Sequence, residues 1–381
     1  MTAALVRMLG DFDLAEELVQ EALLEAIEHW PTDGIPEKPG AWLLTTARRK
    51  AVDQLRRQAR FREKLAQLEG EGMRDDTAEG DDRLRLIFTC CHPALSREAQ
   101  VALTLRAVAG LTTVEIARAF ITSEATIAQR IVRAKRKIVE ANIPYRLPAE
   151  RELAERLDEV LAVLYLMFNE GYLATSGEHA MRRDVAEDAA WLAGLMVRLM
   201  PEEPEALGLQ ALIRLHLARA GARFDDAGNL VLLQDQDRQR WDQERIASAM
   251  GLLERAASLR RPGPYQLQAA IAACHAEART WAETDWGQIV ALYDALLALM
   301  PSPVVELNRA IARRYRDSAA AALPDVERLA AALDTYYLFH ATRAELLRDL
   351  GREPEARAAL GRALELTANP AERALLQRRL S

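Results

Sequence analysis

Two observations predict an all-α chain. Apolar residues return every three or four positions almost throughout, and sustained alternation is confined to Asn229–Leu233. Pro/Gly clusters and acidic runs divide the helical stretches. With 381 residues, half of them apolar, the chain is long enough for two or three domains that each bury a core. That excludes a disulfide-stapled miniprotein and a largely disordered chain. The three cysteines, Cys90, Cys91 and Cys274, are odd in number and two are adjacent, as suits a reducing compartment. The longest apolar run, Val160 to Phe168, has about half the ~18 residues of a membrane span, and no secretory signal pattern opens the chain. A cytoplasmic protein without membrane contact is expected. The net charge of −7 argues against a protein that binds nucleic acid tightly on its own.

Residues 1–64 read as the first helical unit. Asp13 to Trp30 is amphipathic: Leu14, Leu18, Ala22 and Ala26 face inward, and Glu16, Glu17, Gln20, Glu21 and Glu25 make an acidic outer face. A break follows at 31–40, which contains Pro31, Gly34, Pro36, Pro39 and Gly40. Trp42 to Lys64 then carries eight Lys/Arg against Asp53 and Glu63. Its Leu43, Ala47, Ala51 and Leu55 share one face, with Arg49, Asp53, Arg56 and Arg60 largely opposite. An acidic helix beside a basic one suggests two partners. Residues 65–82 are acidic and poor in apolar side chains, the composition of a flexible linker.

The second unit, 83–142, holds a helix-turn-helix. Thr112 and Glu115 have the spacing of a capping box, so a helix starts there. Ser123 is placed to cap a second helix whose buried stripe is Ile127, Ile131, Ala134 and Ile138. Glu124, Thr126, Gln129, Arg130 and Arg133 then project outward, where Arg suits guanine, Gln adenine and Glu cytosine. Between Ala125 and Val139 stand Arg130, Arg133, Lys135, Arg136 and Lys137 and no acid, so the later cations suit phosphates. Ile121 sits where such turns place glycine, so a different backbone conformation is expected there.

In this order the two units resemble regions 2 and 4 of bacterial sigma factors of the extracytoplasmic function (ECF) type. The matching residues are Asp13-x-Ala15-Glu16-Glu17-Leu18-x-Gln20-Glu21, then Trp42-Leu43, Ala47-Arg48 and Asp53-x-x-Arg56, and then Glu115-Ile116-Ala117 with Thr126-Ile127, Arg130 and Arg133-Ala134. The resemblance implies that Asp13, Glu16, Glu17, Gln20 and Glu21 bind core RNA polymerase at the β′ clamp, with a further contact at the β flap. It implies that Trp42, Arg48, Arg49, Lys50, Arg56, Arg57 and Arg60 engage the −10 element of promoter DNA. It further implies that Glu124, Thr126, Gln129, Arg130, Arg133 and Lys137 meet the −35 element. Residues 143–381 resemble the tetratricopeptide-like helical extension of one sigma-factor group. The signs are Phe168-Asn169-Glu170-Gly171-Tyr172 and the repeat-like Leu350-Gly351-Arg352…Ala356…Leu360. The extension is expected to regulate or support the first two units, with an intramolecular contact to them.

Competing chemistry is weak. Cys90-Cys91-His92 lacks the second Cys/His pair of a zinc site, so buried structural cysteines and no metal are expected. Phe168 to Gly177 reads as a helix end and interdomain turn. No phosphate loop, nucleophile elbow or paired-acid motif is present, so no cofactor, catalytic residue or enzymatic activity is expected. The rival reading is a stand-alone helix-turn-helix regulator whose repeats sense a ligand or peptide; the acidic face of Asp13–Glu25 speaks against it. Residues 1–150 nearly balance, with 22 Lys/Arg against 23 Asp/Glu, so the excess acidity lies in the extension.

Overall fold

The computed structural model describes residues 1–57, 76–119, 122–172, 183–367 and 369–380. Helices dominate, and no strand occurs among the described residues beyond one isolated bridge, Phe224 with Leu230. That bridge adjoins Asn229–Leu233, the one stretch that alternates. The chain divides into two compact units, Met1–Leu164 and Tyr165–Ser381.

The first unit contains α1 (Thr2–Leu9), α2 (Phe12–Asp33), α3 (Pro39–Arg57), α4 (Asp76–Cys90), α5 (Arg97–Ala107), α6 (Thr113–Ala119), α7 (Glu124–Glu140) and the first half of α8 (Glu150–Tyr172). Leu5 and Val6 of α1 are buried against α2 and α4. Asp11 starts α2 by accepting from the amides of Asp13 (2.9 Å) and Leu14 (3.1 Å). Along α2 the buried residues are Phe12, Ala15, Leu18, Ala22 and Ala26. Leu14 is only half-buried, so the inner stripe is rotated slightly from the expected one.

Four expectations need correction. Helix α2 continues through Pro31 to Asp33, which shortens the break to 34–38. Residues 76–82, read as linker, form the first turns of α4. Asp82 at their end is buried and pairs with Arg7 (3.0 Å) and Arg85 (3.2 Å), while the Tyr145 hydroxyl reaches the carbonyls of Ala3 (2.8 Å) and Asp82 (2.9 Å). Acid-rich composition hid a structural carboxylate. Residues 143–164 belong to the first unit rather than the extension: Arg97 of α5 holds Glu159 of α8 at 2.7 Å, and Arg156 donates to the Phe88 carbonyl. Finally, the segment Phe168–Gly177 leaves the helix later than expected: α8 includes Phe168–Tyr172, and residues 173–177 lie outside the described residues. The rings of Phe168 and Tyr172 stack at 5.1 Å beside His216.

The second unit is a succession of helices: α9 (Arg183–Leu199), α10 (Pro204–Ala218), α11 (Gln243–Ser258), α12 (Pro264–Glu277), α13 (Trp286–Leu299), α14 (Pro303–Arg316), α15 (Ala319–Arg328), α16 (Ala330–Leu333), α17 (Tyr337–Asp349), α18 (Glu353–Leu366) and α19 (Pro370–Leu380). Each packs mainly on near neighbours in sequence. Small residues permit the closest approach: a Cβ on Gly208 would come within 2.6 Å of the Gln266 amide nitrogen, so α10 and α12 touch only because glycine stands there. The three cysteines are free and buried. Burial pushes the Cys91 thiol up to about 12 and Cys274 to about 11, which keeps both protonated and inert at neutral pH.

Ile127 on α7 is completely buried. Its truncation in Ile127→Ala should cost about 2–5 kcal/mol in chemical denaturation, the range for a cavity in a packed core; Val132→Ala, exposed on the same helix, should cost under about 0.5 kcal/mol.

Candidate functional site

The predicted residues lie on three helices of the first unit. On α2 the acidic residues do not form one open face. Glu25 accepts from Arg49 at 2.7 Å and from Lys50 at 3.2 Å, and Glu21 meets Lys50 at 3.2 Å. Burial works against the Glu25 charge, but hydrogen bonds and attraction from Lys50 and Arg49 outweigh it and hold its carboxyl below the ordinary value. Glu17 and Gln20 stay exposed. Beside them Leu24 (59% exposed) and Ile27 (69%) stand in water, with Leu23 at the edge. Gln20, Leu24 and Ile27 fall at intervals of four and three, one stripe of the helix. Sequence reasoning missed this apolar stripe because the acids alone were taken as the outer face. The signal was present, since Leu24 and Ile27 lie off the buried stripe of Leu18, Ala22 and Ala26.

On α3, Ala47 and Ala51 are buried as expected, and Arg48 and Lys50 are half-buried while Arg49 is exposed. Trp42 sets its ring edge against Trp30 of α2, with centroids 5.6 Å apart. This contact and the Arg49 and Lys50 pairs lock α3 against α2. Arg56 and Arg57 lie on α3, but their side chains are outside the described residues, as is all of Arg60.

The helix-turn-helix forms with its expected caps. Glu115 accepts from the Thr112 amide (2.7 Å), and the Glu115 amide donates to the Thr112 hydroxyl (3.2 Å). Ser123 accepts from the Thr126 amide at 3.1 Å. Ile127, Ile131, Ala134 and Ile138 are all buried. Glu124, Gln129, Arg133 and Lys137 are exposed and Arg130 is half-buried. Thr126 is engaged in the cap, its hydroxyl 2.8 Å from that of Ser123, and Glu124 accepts from Thr113 at 3.0 Å. Ile121 lies outside the described residues.

One cation of α7 does not face outward. Lys135 is buried, and its ammonium lies 2.7 Å from Asp13 and 3.3 Å from Glu16 on α2. Arg106 of α5 reaches Glu16 at 3.6 Å. Lys135 is therefore not a free phosphate contact. Lys135 stands two positions from both Arg133 and Lys137, about 200° around a helix, so it points inward where they point out, and the α2 carboxylates give its charge a partner there. Two residues assigned to polymerase binding and the helix assigned to DNA are thus joined within one unit. Among the described residues no cluster of three metal-ligating side chains occurs.

Comparison with known proteins covers most of the chain. The Sigma-70 region 2 model matches residues 1–61, and the Sigma-70, region 4 model matches 85–138. A family of unknown function, DUF6596, matches 156–257. An uncharacterized protein of Rhizobium meliloti is 46% identical over 387 aligned residues, covering 99% of this chain and 92% of that protein. The ECF RNA polymerase sigma factor SigK of Mycobacterium ulcerans is 32% identical over 33% of this chain and 70% of its own length. ECF RNA polymerase sigma factor SigL of Mycobacterium tuberculosis is 31% identical over 35% of this chain and 77% of its own length.

Removing the Lys135 charge leaves Glu16 short of a partner. Lys135→Met should therefore lower stability by about 1–3 kcal/mol in denaturant titration, and adding Glu16→Gln should recover part of that loss.

Proposed function

The chain belongs to the family of ECF RNA polymerase sigma factors, and from that we propose that it is a dissociable specificity subunit that docks on core polymerase through α2, engages the −10 element with α3 and reads the −35 element with α7. The observation that carries this reading is the exposed stripe Gln20, Leu24 and Ile27 next to Glu17. An apolar stripe edged by polar groups marks a surface that another protein covers. A repressor acting through its helix-turn-helix alone has no use for it. Glu17 and Gln20 would meet polymerase first, with the β′ clamp as the partner of α2 and the β flap as the partner of the region 4 unit.

On α7, Arg133 and Gln129 suit base edges and Lys137 suits a phosphate. Asp13 and Glu16 are held by Lys135 in the free chain, so full engagement of polymerase by these acids requires Lys135 and Arg106 to release them. Trp42, Arg48, Arg49 and Lys50 would turn to the −10 strand once Glu21 and Glu25 are shared with the new partner. The protein would itself catalyse nothing, the reaction belonging to polymerase, and would work in the cytoplasm. No helix among the described residues is long and apolar enough to cross a membrane. The helical extension, proposed as tetratricopeptide-like, would regulate or support initiation through contact with the sigma units.

Core polymerase pull-down tests the docking surface. Wild-type protein should be retained, whereas Ile27→Asp, at a site already in water, should keep its melting temperature and bind about tenfold or more weakly. Retention equal to wild type would contradict the proposed surface. In run-off transcription Arg133→Ala should lose about 1–3 kcal/mol of promoter binding, unevenly across −35 sequences. Equal loss on every sequence would make Arg133 a phosphate contact.

A further inference from the structure

The second unit contains a polar cleft of about 520 Å³. Three helices line it, and each does so with one stripe. On α9 Glu187, Trp191, Gly194 and Arg198 fall at intervals of four, three and four; on α10 Gln210 and Arg214 are four apart; on α11 Arg245 and Ser248 are three apart.

The charges in the cleft are of two kinds. Arg245 is committed: it grips both carboxylate oxygens of Glu187, at 3.1 and 3.3 Å, and reaches Asp242 at 3.4 Å. Arg198 and Arg214 make no ion pair among the described residues, although Arg214 donates to the Ser248 hydroxyl. Gln210 lines the same cleft. It is 4% exposed, and its Oε1 is buried without a hydrogen-bond donor. Buried amide oxygens are rarely left unpaired, because the lost hydration is not replaced. Gly194 leaves the floor open: a Cβ there would lie 3.4 Å from Gln210 Nε2 and 3.6 Å from Arg198 Nη1. An amide and a guanidinium thus converge on one space with no side chain in it. Trp191, 42% exposed, offers an aromatic wall.

We propose that this cleft binds a ligand in which an amide adjoins a carboxylate, the chemistry shared by a peptide C-terminus and a free N-acyl amino acid. The carboxylate accepts from Arg198 and Arg214, whose guanidinium groups match it geometrically. The ligand N–H donates to Gln210 Oε1, and its carbonyl accepts from Gln210 Nε2. Trp191 covers the adjoining apolar side chain. A bare polyanion fits less well, since it brings no donor for Gln210 and meets Glu187, Asp242 and Glu244 in the same cleft. The site does not depend on the sigma-factor reading.

Saturation-transfer NMR and calorimetry on the full chain test it with three probes: N-acetyl-leucine, an N-acetylated pentapeptide ending in leucine, and the same peptide as its C-terminal carboxamide. At least one of the two acids should bind, and the carboxamide about tenfold or more weakly. Binding of the peptide alone assigns a protein terminus as the source, and binding of N-acetyl-leucine assigns a small molecule; either upholds the site. Arg198→Ala, at an exposed position, should weaken binding by a similar factor at unchanged melting temperature. Gln210→Leu should abolish binding without lowering the melting temperature, because it removes an orphaned acceptor. The proposal is overturned if neither acid binds, if the carboxamide binds as tightly as the acid, or if Arg198→Ala keeps wild-type affinity.

Discussion

A lysine ammonium that lies almost out of water must find carboxylates, and Lys135 finds two, Asp13 and Glu16, near the start of α2. This contact joins residues 122 positions apart and ties region 4 to region 2. Around it, Arg106 shares Glu16, Asp82 holds Arg7 and Arg85, and Tyr145 bridges two backbone carbonyls. The contact also sets a condition on function. Asp13 and Glu16 belong to the proposed polymerase surface and Lys135 to the proposed DNA helix, so each is occupied by the other until a competing partner arrives. The two proposed surfaces are coupled through Lys135.

Residues 1–150 carry 22 Lys/Arg against 23 Asp/Glu, and many of these charges are paired with one another. Acidic α2 neutralises cations of its own neighbours: Lys50 and Arg49 through Glu21 and Glu25, and Lys135 through Asp13 and Glu16. What remains outward on α7 is Arg133 and Lys137, with Arg136 pairing with Glu140 at 3.1 Å. Cations of this kind give α7 a salt-sensitive attraction to DNA phosphates. Such a surface becomes useful when a larger partner supplies the rest of the affinity.

The parts of the fold governed by local rules were legible in the sequence. Thr112, Glu115 and Ser123 cap helices because a short polar side chain satisfies the free amides at a helix start, and the stripe Ile127, Ile131, Ala134, Ile138 follows helical spacing. What long-range packing decides was not legible. Asp82 looked like one more linker acid, yet it is buried against Arg7. Lys135 looked like one of five DNA-facing cations, and only its tertiary carboxylates turn it inward. Phe168 to Gly177 looked like a helix end because of its polar and glycine residues, but the helix includes Phe168–Tyr172, whose two rings stack near His216. The exposed Leu24 and Ile27 were readable in principle, as apolar residues off the buried stripe, and were overshadowed by the acids beside them.

In the proposed mechanism Lys135 surrenders Asp13 and Glu16 to polymerase. Energy transfer between dyes on cysteines introduced at Glu28 and Glu140, both exposed, measures it directly, since the native thiols are buried and inert. Transfer should be high in the free chain and fall when core polymerase is added, and Lys135→Glu should lower it without polymerase. Unchanged high transfer in a complex that initiates transcription would contradict the account.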